Sequence, residues 1–187
     1  MRTALILMTM TAGTASLVAQ PTWGGLRFGM GMADVRNAIK DAKNIAAPAS
    51  TGICPLCLLD APVEVLKRKG TARMIFDEGG LTRVHLIFDP EDNKRCSEVS
   101  VEQSVKSELF QRELIDLLNG KYGRPASDER SADLIGSRTG ARYGTRDVLW
   151  KDGGQTVKYS ASGLCPAGAI ISVTYSPGGK EPINLQP

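Results

Sequence analysis

With 187 residues, 23 basic and 20 acidic side chains and a formal charge of +3, the chain is sized for one ordinary domain and too weakly charged to be steered to nucleic acid or anionic lipid. Two Trp, four Tyr and four Phe are too few rings for a base-stacking surface. Twenty Gly and ten Pro mark many turns but fall short of a disordered composition.

Met1-Arg2 is a short basic start. Thr3 to Ala19 carries no charge and closes on the small-residue pattern Leu17-Val18-Ala19. This order predicts a signal peptide over 1–19 and a periplasmic or secreted product, where thiols oxidise. The run is too short and too rich in Thr, Ser and Gly for a membrane anchor. No Cys sits just after the cut, which argues against a lipid anchor, and no later stretch predicts a transmembrane span in the mature chain.

Trp23 to Gly29 reads as an extended lead-in whose Trp23, Leu26 and Phe28 can bury. Gly31 suits a helix N-cap and Asp34 falls in the first turn. Val35, Ala38, Ile39 and Ala42 repeat at helical spacing and predict a first helix over about 32–43. A loop over 46–61 carries Cys54-Pro55-Leu56-Cys57. Three strands follow, over 63–69, 72–77 and 81–88, joined at Lys69-Gly70 and at Asp77-Glu78-Gly79-Gly80. Val84, Leu86 and Phe88 share one face of the third strand; Arg83 and His85 share the other.

Residues 90–96 read as a polar loop, and 97–103 are ambiguous, since Val99 and Val101 alternate and could extend the sheet. A second helix is clearer, with Ser107 as its cap and Phe110, Leu114, Leu117 and Leu118 as its apolar stripe. Asn119-Gly120 is a stop signal, and Pro125 bars continuation. Residues 124–142 read as a loop. Three more strands are predicted over 143–150, 155–160 and 169–175, with a turn at Asp152-Gly153-Gly154 and a flexible tail over 176–187.

The pattern predicts an α+β fold, an antiparallel sheet with two helices on one face. It further predicts one domain over 20–175 as an α-βββ-α-βββ pseudo-repeat, with halves near 23–96 and 97–175. The stretches Trp23 to Val35 and Leu114 to Pro125, with Trp150 and the late hairpin, resemble small bacterial periplasmic domains. These are the β-lactamase-inhibitor-protein-like repeats and the small outer-membrane assembly lipoproteins. The resemblance implies the fold, the periplasm and a binding role. The chain lacks the lipoproteins' lipidation Cys and has few of the exposed aromatics by which inhibitors anchor.

Cys54, Cys57, Cys96 and Cys165 are an even set in an oxidising compartment, which predicts two disulfides among three connectivities. Cys54–Cys57 with Cys96–Cys165 is the favoured pairing; two long-range bridges are the alternative. A closed loop of about 70 residues is worth roughly 4 kcal/mol and one of four roughly 2, so Cys96–Cys165 would matter more. Cys-Pro-Leu-Cys also has the spacing of thiol–disulfide oxidoreductases, whose first thiolate is stabilised at a helix N-terminus. Here Pro62 disfavours a following helix. A four-Cys zinc site would want two close pairs, and Cys96 and Cys165 are far apart.

His85 is the only histidine and is expected to be an exposed strand residue. No Gly-x-Ser-x-Gly elbow or phosphate loop occurs, so no catalytic residue, metal site or cofactor is expected. Arg130, Arg138 and Arg142, in the basic stretch from Arg124 to Arg146, are candidate partner-contact residues. The expectation is a non-enzymatic secreted or periplasmic binding module, its partner another exported protein or an envelope component. An envelope-associated structural protein and a Cys54/Cys57 oxidoreductase are the alternatives.

Overall fold

The computed structural model describes residues 22–46, 57–88, 100–131, 144–163 and 169–178. These residues form α1 (Met32–Ala38), β1 (Lys43–Ile45), β2 (Leu58–Val65), β3 (Arg68–Asp77), β4 (Gly80–Phe88), α2 (Val101–Tyr122), β5 (Ser127–Ser131), β6 (Gly144–Asp152), β7 (Gln155–Gly163) and β8 (Ile170–Pro177). All eight strands join one antiparallel sheet in the order β1-β2-β3-β4-β8-β7-β6-β5. The class is therefore mixed α+β. Four strands follow each helix, where three were expected. The two runs meet at their last strands, β4 against β8.

The extra strands are the two edges, and neither has an apolar pattern to announce it. The expected first helix ran on to Lys43, and no strand was expected over Lys43–Ile45. The chain leaves α1 at Ile39 so that Lys43, Asn44 and Ile45 can pair with Asp60, Leu59 and Leu58. The Arg36 guanidinium donates to Asn44 Oδ1 across this exit. Ser127–Ser131 lies in the expected loop over 124–142. Pairing with β6, which also has β7 on its other side, makes it a strand. Short charged edges of this kind also discourage further strand addition.

The first hairpin turns at Leu66-Lys67, not at Lys69-Gly70. Leu66 and Lys67 both hold positive φ, at 52° and 66°, the requirement of a tight type I′ turn. Gly70 lies within β3 opposite Val63. A Cβ there would stand 2.3 Å from the Ile87 carbonyl oxygen, so glycine serves close strand packing at this point. Leu66→Asn combined with Lys67→Gly should relieve the left-handed strain and add about 1 kcal/mol. A thermal melt is expected to rise by a few degrees.

The second hairpin matches its sequence signal. Asp77 Oδ1 accepts from the Gly79 amide at 2.8 Å. Gly80 has φ +99°, and a Cβ on it would meet Gly29 O at 2.5 Å and Met30 O at 2.8 Å. The lead-in forces this approach. Its turns, not an extended run, dock on the hairpin through Gly29 N–H to Leu81 O and Leu81 N–H to Met30 O, each 2.8 Å. Leu26 is fully buried there, with Trp23 and Phe28 packed alongside. Gly80→Ala is expected to cost about 3 kcal/mol, from strain and overlap together, read as a lower urea midpoint.

α2 begins earlier than its apolar stripe suggests. Ser100 caps it in a capping box with Gln103: each side chain accepts from the other's backbone amide. Ser107 is buried inside the helix. The buried stripe is Phe110, Leu114, Ile115 and Leu118, while Leu117 is 47% exposed. The helix passes Asn119-Gly120 and ends at Gly123, with φ 74°. α2 meets the sheet at points spread along its length. Phe110 is edge-on to Phe88 at 5.2 Å, the Tyr159 hydroxyl donates to Gln111 Oε1 at 3.0 Å, and Trp150 Nε1 donates to Asn119 Oδ1 and Gly123 O, both at 3.2 Å.

One hydrophobic cluster unites Leu26, Val35 of α1, the α2 stripe and alternate residues of β2, β3, β4, β6, β7 and β8. β8 runs through Pro177, beyond the point where the tail was expected to begin. Among the described residues no helix is long and apolar enough to cross a membrane.

Candidate functional site

Strand alternation sends the other half of each strand's residues away from that core. Antiparallel register then aligns them in rows across the sheet. Asp60, Arg73, His85, Thr174, Lys158 and Leu149 form one row on six adjacent strands. On one side of it Ile45, Leu58, Ile75 and Arg83 form a second. The Val84–Tyr175 pair, carried one step further, sets Arg83 beside Ser176, which pairs with Thr156. On the other side run Pro62, Thr71, Ile87, Ser172, Ser160, Asp147 and Glu129. Leu58 and Ile75, with Ile45 against them, make a small apolar cluster of their own. The rest of this face is dominated by hydroxyls and charge.

The charges are unevenly compensated. Arg73 grips Asp60 with two parallel bonds, Nε to Oδ1 at 3.0 Å and Nη2 to Oδ2 at 2.9 Å. This bidentate pair, aided by the Asp60 charge and opposed by burial, holds the Arg73 guanidinium above its ordinary pKa. Lys158 Nζ lies 2.9 Å from Asp147 Oδ2. Arg83 is different. Its Nε is sealed from solvent and meets no hydrogen-bond acceptor. Burial alone shifts it, lowering its pKa.

His85 is half-buried, not exposed as expected. It lies between Arg73 on β3 and Thr174 on β8. Burial, and then the Arg73 and Arg83 charges, push its pKa down to about 4. At neutral pH the ring is uncharged and too weak a base for proton abstraction. Ser176 is 2% exposed and its Oγ has no hydrogen-bond partner. This part of the face thus holds two unused polar groups, the Arg83 Nε–H and the Ser176 hydroxyl, beside a neutral imidazole.

No family model, curated protein or solved structure matches this chain.

The residues singled out in the sequence are not brought together here. Arg130 is on edge strand β5 and not in a loop. It faces Arg146 across the ladder and reaches Asp128 at 4.0 Å. Arg146 is the better partner, bidentate to Asp128 at 2.9 and 2.8 Å, and it holds the Asp128 carboxyl below its ordinary pKa. Arg138 and Arg142 lie outside the described residues, as do Cys54, Cys96, Cys165 and the segment 1–19.

Cys57 is disulfide-bonded. It leads straight into β2 and accepts from the Phe76 amide through its carbonyl. A strand, and no helix, therefore follows the Cys-Pro-Leu-Cys motif. Among the described residues no three His, Cys, Asp or Glu side chains converge as metal ligands.

Sequence reasoning put Arg83 on the face away from the core without giving it a role, passed over Arg73 and Thr174, and assigned Ser176 to the tail. Nothing local marked them as neighbours.

Proposed function

We propose that the chain is an exported, non-enzymatic binding module of the periplasm. Its contact surface in this reading is the sheet face of Arg73, Arg83, His85, Thr174, Lys158, Ser160 and Ser172, and its partner is another exported protein. The observation that carries it is the row from Asp60 to Lys158. A rigid, multi-strand array of hydroxyls and charged groups gives a binding surface geometric precision. The two helix-plus-four-strand halves are read as repeats of one unit with both helices on the core side. This arrangement agrees with the resemblance to inhibitor-like periplasmic domains.

Capture from periplasmic extract tests the reading. The oxidised chain is expected to recover a reproducible partner. Ser160→Arg with Ser172→Arg, in the middle of the face, should abolish recovery. Glu113→Arg, on the exposed side of α2, should leave it intact. Equal loss with all variants, or no partner at all, refutes it. The export half of the proposal has its own check. Mass spectrometry of the exported protein is expected to find Gln20 at the N-terminus, with Cys54 bridged to Cys57 and Cys96 to Cys165. An intact Met1 or four reduced thiols would remove it.

A further inference from the structure

The geometry points to an oxyanion receptor on this face, with the Arg83 guanidinium as its anchor and His85, Thr174, Thr156 and Ser176 around it. It rests on the reading of this face as the binding surface and names the chemistry that the surface recognises. Three observations converge on it.

First, Arg83 is an uncommitted charge in the interior of the face, with the exposed Lys151 at the far end of its row. Arg73 is committed to Asp60 and Lys158 to Asp147. The solvent-sealed Nε–H of Arg83 has no acceptor. A half-buried cation with an unmet donor is costly until an anion completes it. A carboxylate, sulfate or phosphate presents the pair of oxygens that the planar guanidinium fork fits.

Second, the register sets hydroxyl residues on the strand beside Arg83. Ser176 is one ladder step from the Val84–Tyr175 pair, beside Arg83, and pairs directly with Thr156. The Ser176 hydroxyl is buried and unpartnered, so it too has a bond to give. Thr174 stands across from His85.

Third, the remaining neighbours suit an incoming negative charge. The charged groups nearest His85 are Arg83 on its own strand and Arg73 on β3. Beyond them are Asp60 on β2, already bonded to Arg73, and Lys158 on β7, next to Thr174. The Coulombic influences that reach His85 are both those of arginines. An anion at Arg83 would weaken that field and make the imidazole easier to protonate.

The chain has one histidine, so its ring signals in a proton–carbon NMR spectrum report on this site without ambiguity. The oxidised full chain is titrated with sodium sulfate and, separately, with N-acetylglutamate amide, against sodium chloride at matched ionic strength. Sulfate, the glutamate compound or both are expected to move the His85 signals saturably and to raise its pKa by about one unit. Saturation by sulfate alone marks a site for an inorganic or ester anion. Saturation by the glutamate compound alone marks one for an acidic side chain.

Arg83→Gln should abolish saturation, and Arg112→Gln, on the exposed side of α2, should not. Should Arg83→Gln fail to fold, Arg83→Lys keeps the charge without the fork and should weaken binding by about tenfold. The inference is overturned if neither probe saturates, or if the response is the same in chloride or without Arg83. Saturation in a chain that captures no periplasmic partner would sustain the receptor while sinking the wider reading. Partner capture with no anion response would do the reverse.

Discussion

Lowering the pH from 7 to 4 is expected to remove about 3 kcal/mol of stability through His85 alone. Its pKa falls from the ordinary 6.5 to about 4 in the folded chain, through burial first and then the Arg73 and Arg83 charges. Below pH 6.5 the unfolded chain takes up the proton and the folded chain does not. Protonation therefore favours unfolding progressively from about pH 6.5 to about pH 4, and the loss levels off below that. Asp128, held low by Arg146, acts in the same direction but at more acid pH, where its carboxylate must protonate. Urea midpoints at pH 7, 5.5 and 4 for the native chain and His85→Gln separate the two. The native curve should fall steeply across this range and the variant's should be flatter. Parallel curves would show that His85 titrates normally.

Replacing Trp150 should be the most damaging single change in the core. Trp150 is fully buried on β6, and its indole N–H ties down the end of α2 through Asn119 and Gly123. Trp150→Ala opens a large cavity and strands both acceptors, at a cost of about 4 kcal/mol. Trp150→Phe keeps most of the volume and loses the bonds, at about 2 kcal/mol. The two costs are read from urea unfolding followed by circular dichroism. Near-equal costs would mean that the hydrogen bonds carry nearly all the effect. A cost below about 1 kcal/mol for Trp150→Ala would mean that α2 does not depend on this anchor.

What could be read along the chain was local chemistry. Val84, Leu86 and Phe88 declare an inward face by alternation, and Phe110, Leu114 and Leu118 by helical spacing. Asp77 to Gly80 and Asp152 to Gly154 declare hairpins through glycines that take positive φ. The misreadings have equally specific causes. Gly70 looks like a turn residue but is glycine because Ile87 crowds it. Leu66 and Lys67 make the turn although their side chains disfavour it, because Val65 must reach Arg68. Ile115 displaces Leu117 from the buried stripe because docking on Phe88, Tyr159 and Trp150 sets the rotation of α2. Ser100 and Gln103 did carry a capping signal, masked by the alternation of Val99 and Val101.

The candidate site was half legible. Arg83 and His85 could be placed on a common face away from the core, but as solvent-exposed residues. Their neighbours come from other strands: Arg73 and Thr174 flank His85, and Ile75 and Ser176 flank Arg83. The edge strand of Arg130 was not legible at all, since Ser127 to Ser131 contains no apolar residue and owes its form to β6.

By itself the order of residues determined which side chains turn inward, where the glycine hairpins fall and where each helix can start, since each depends on atoms a few positions apart. Only the folded chain decided that β4 would lie against β8 and so bring Arg83 beside Ser176 and His85 opposite Thr174. Periodicity specifies a face. It does not specify a partner some ninety residues away, whose register is chosen by the packing of the whole sheet.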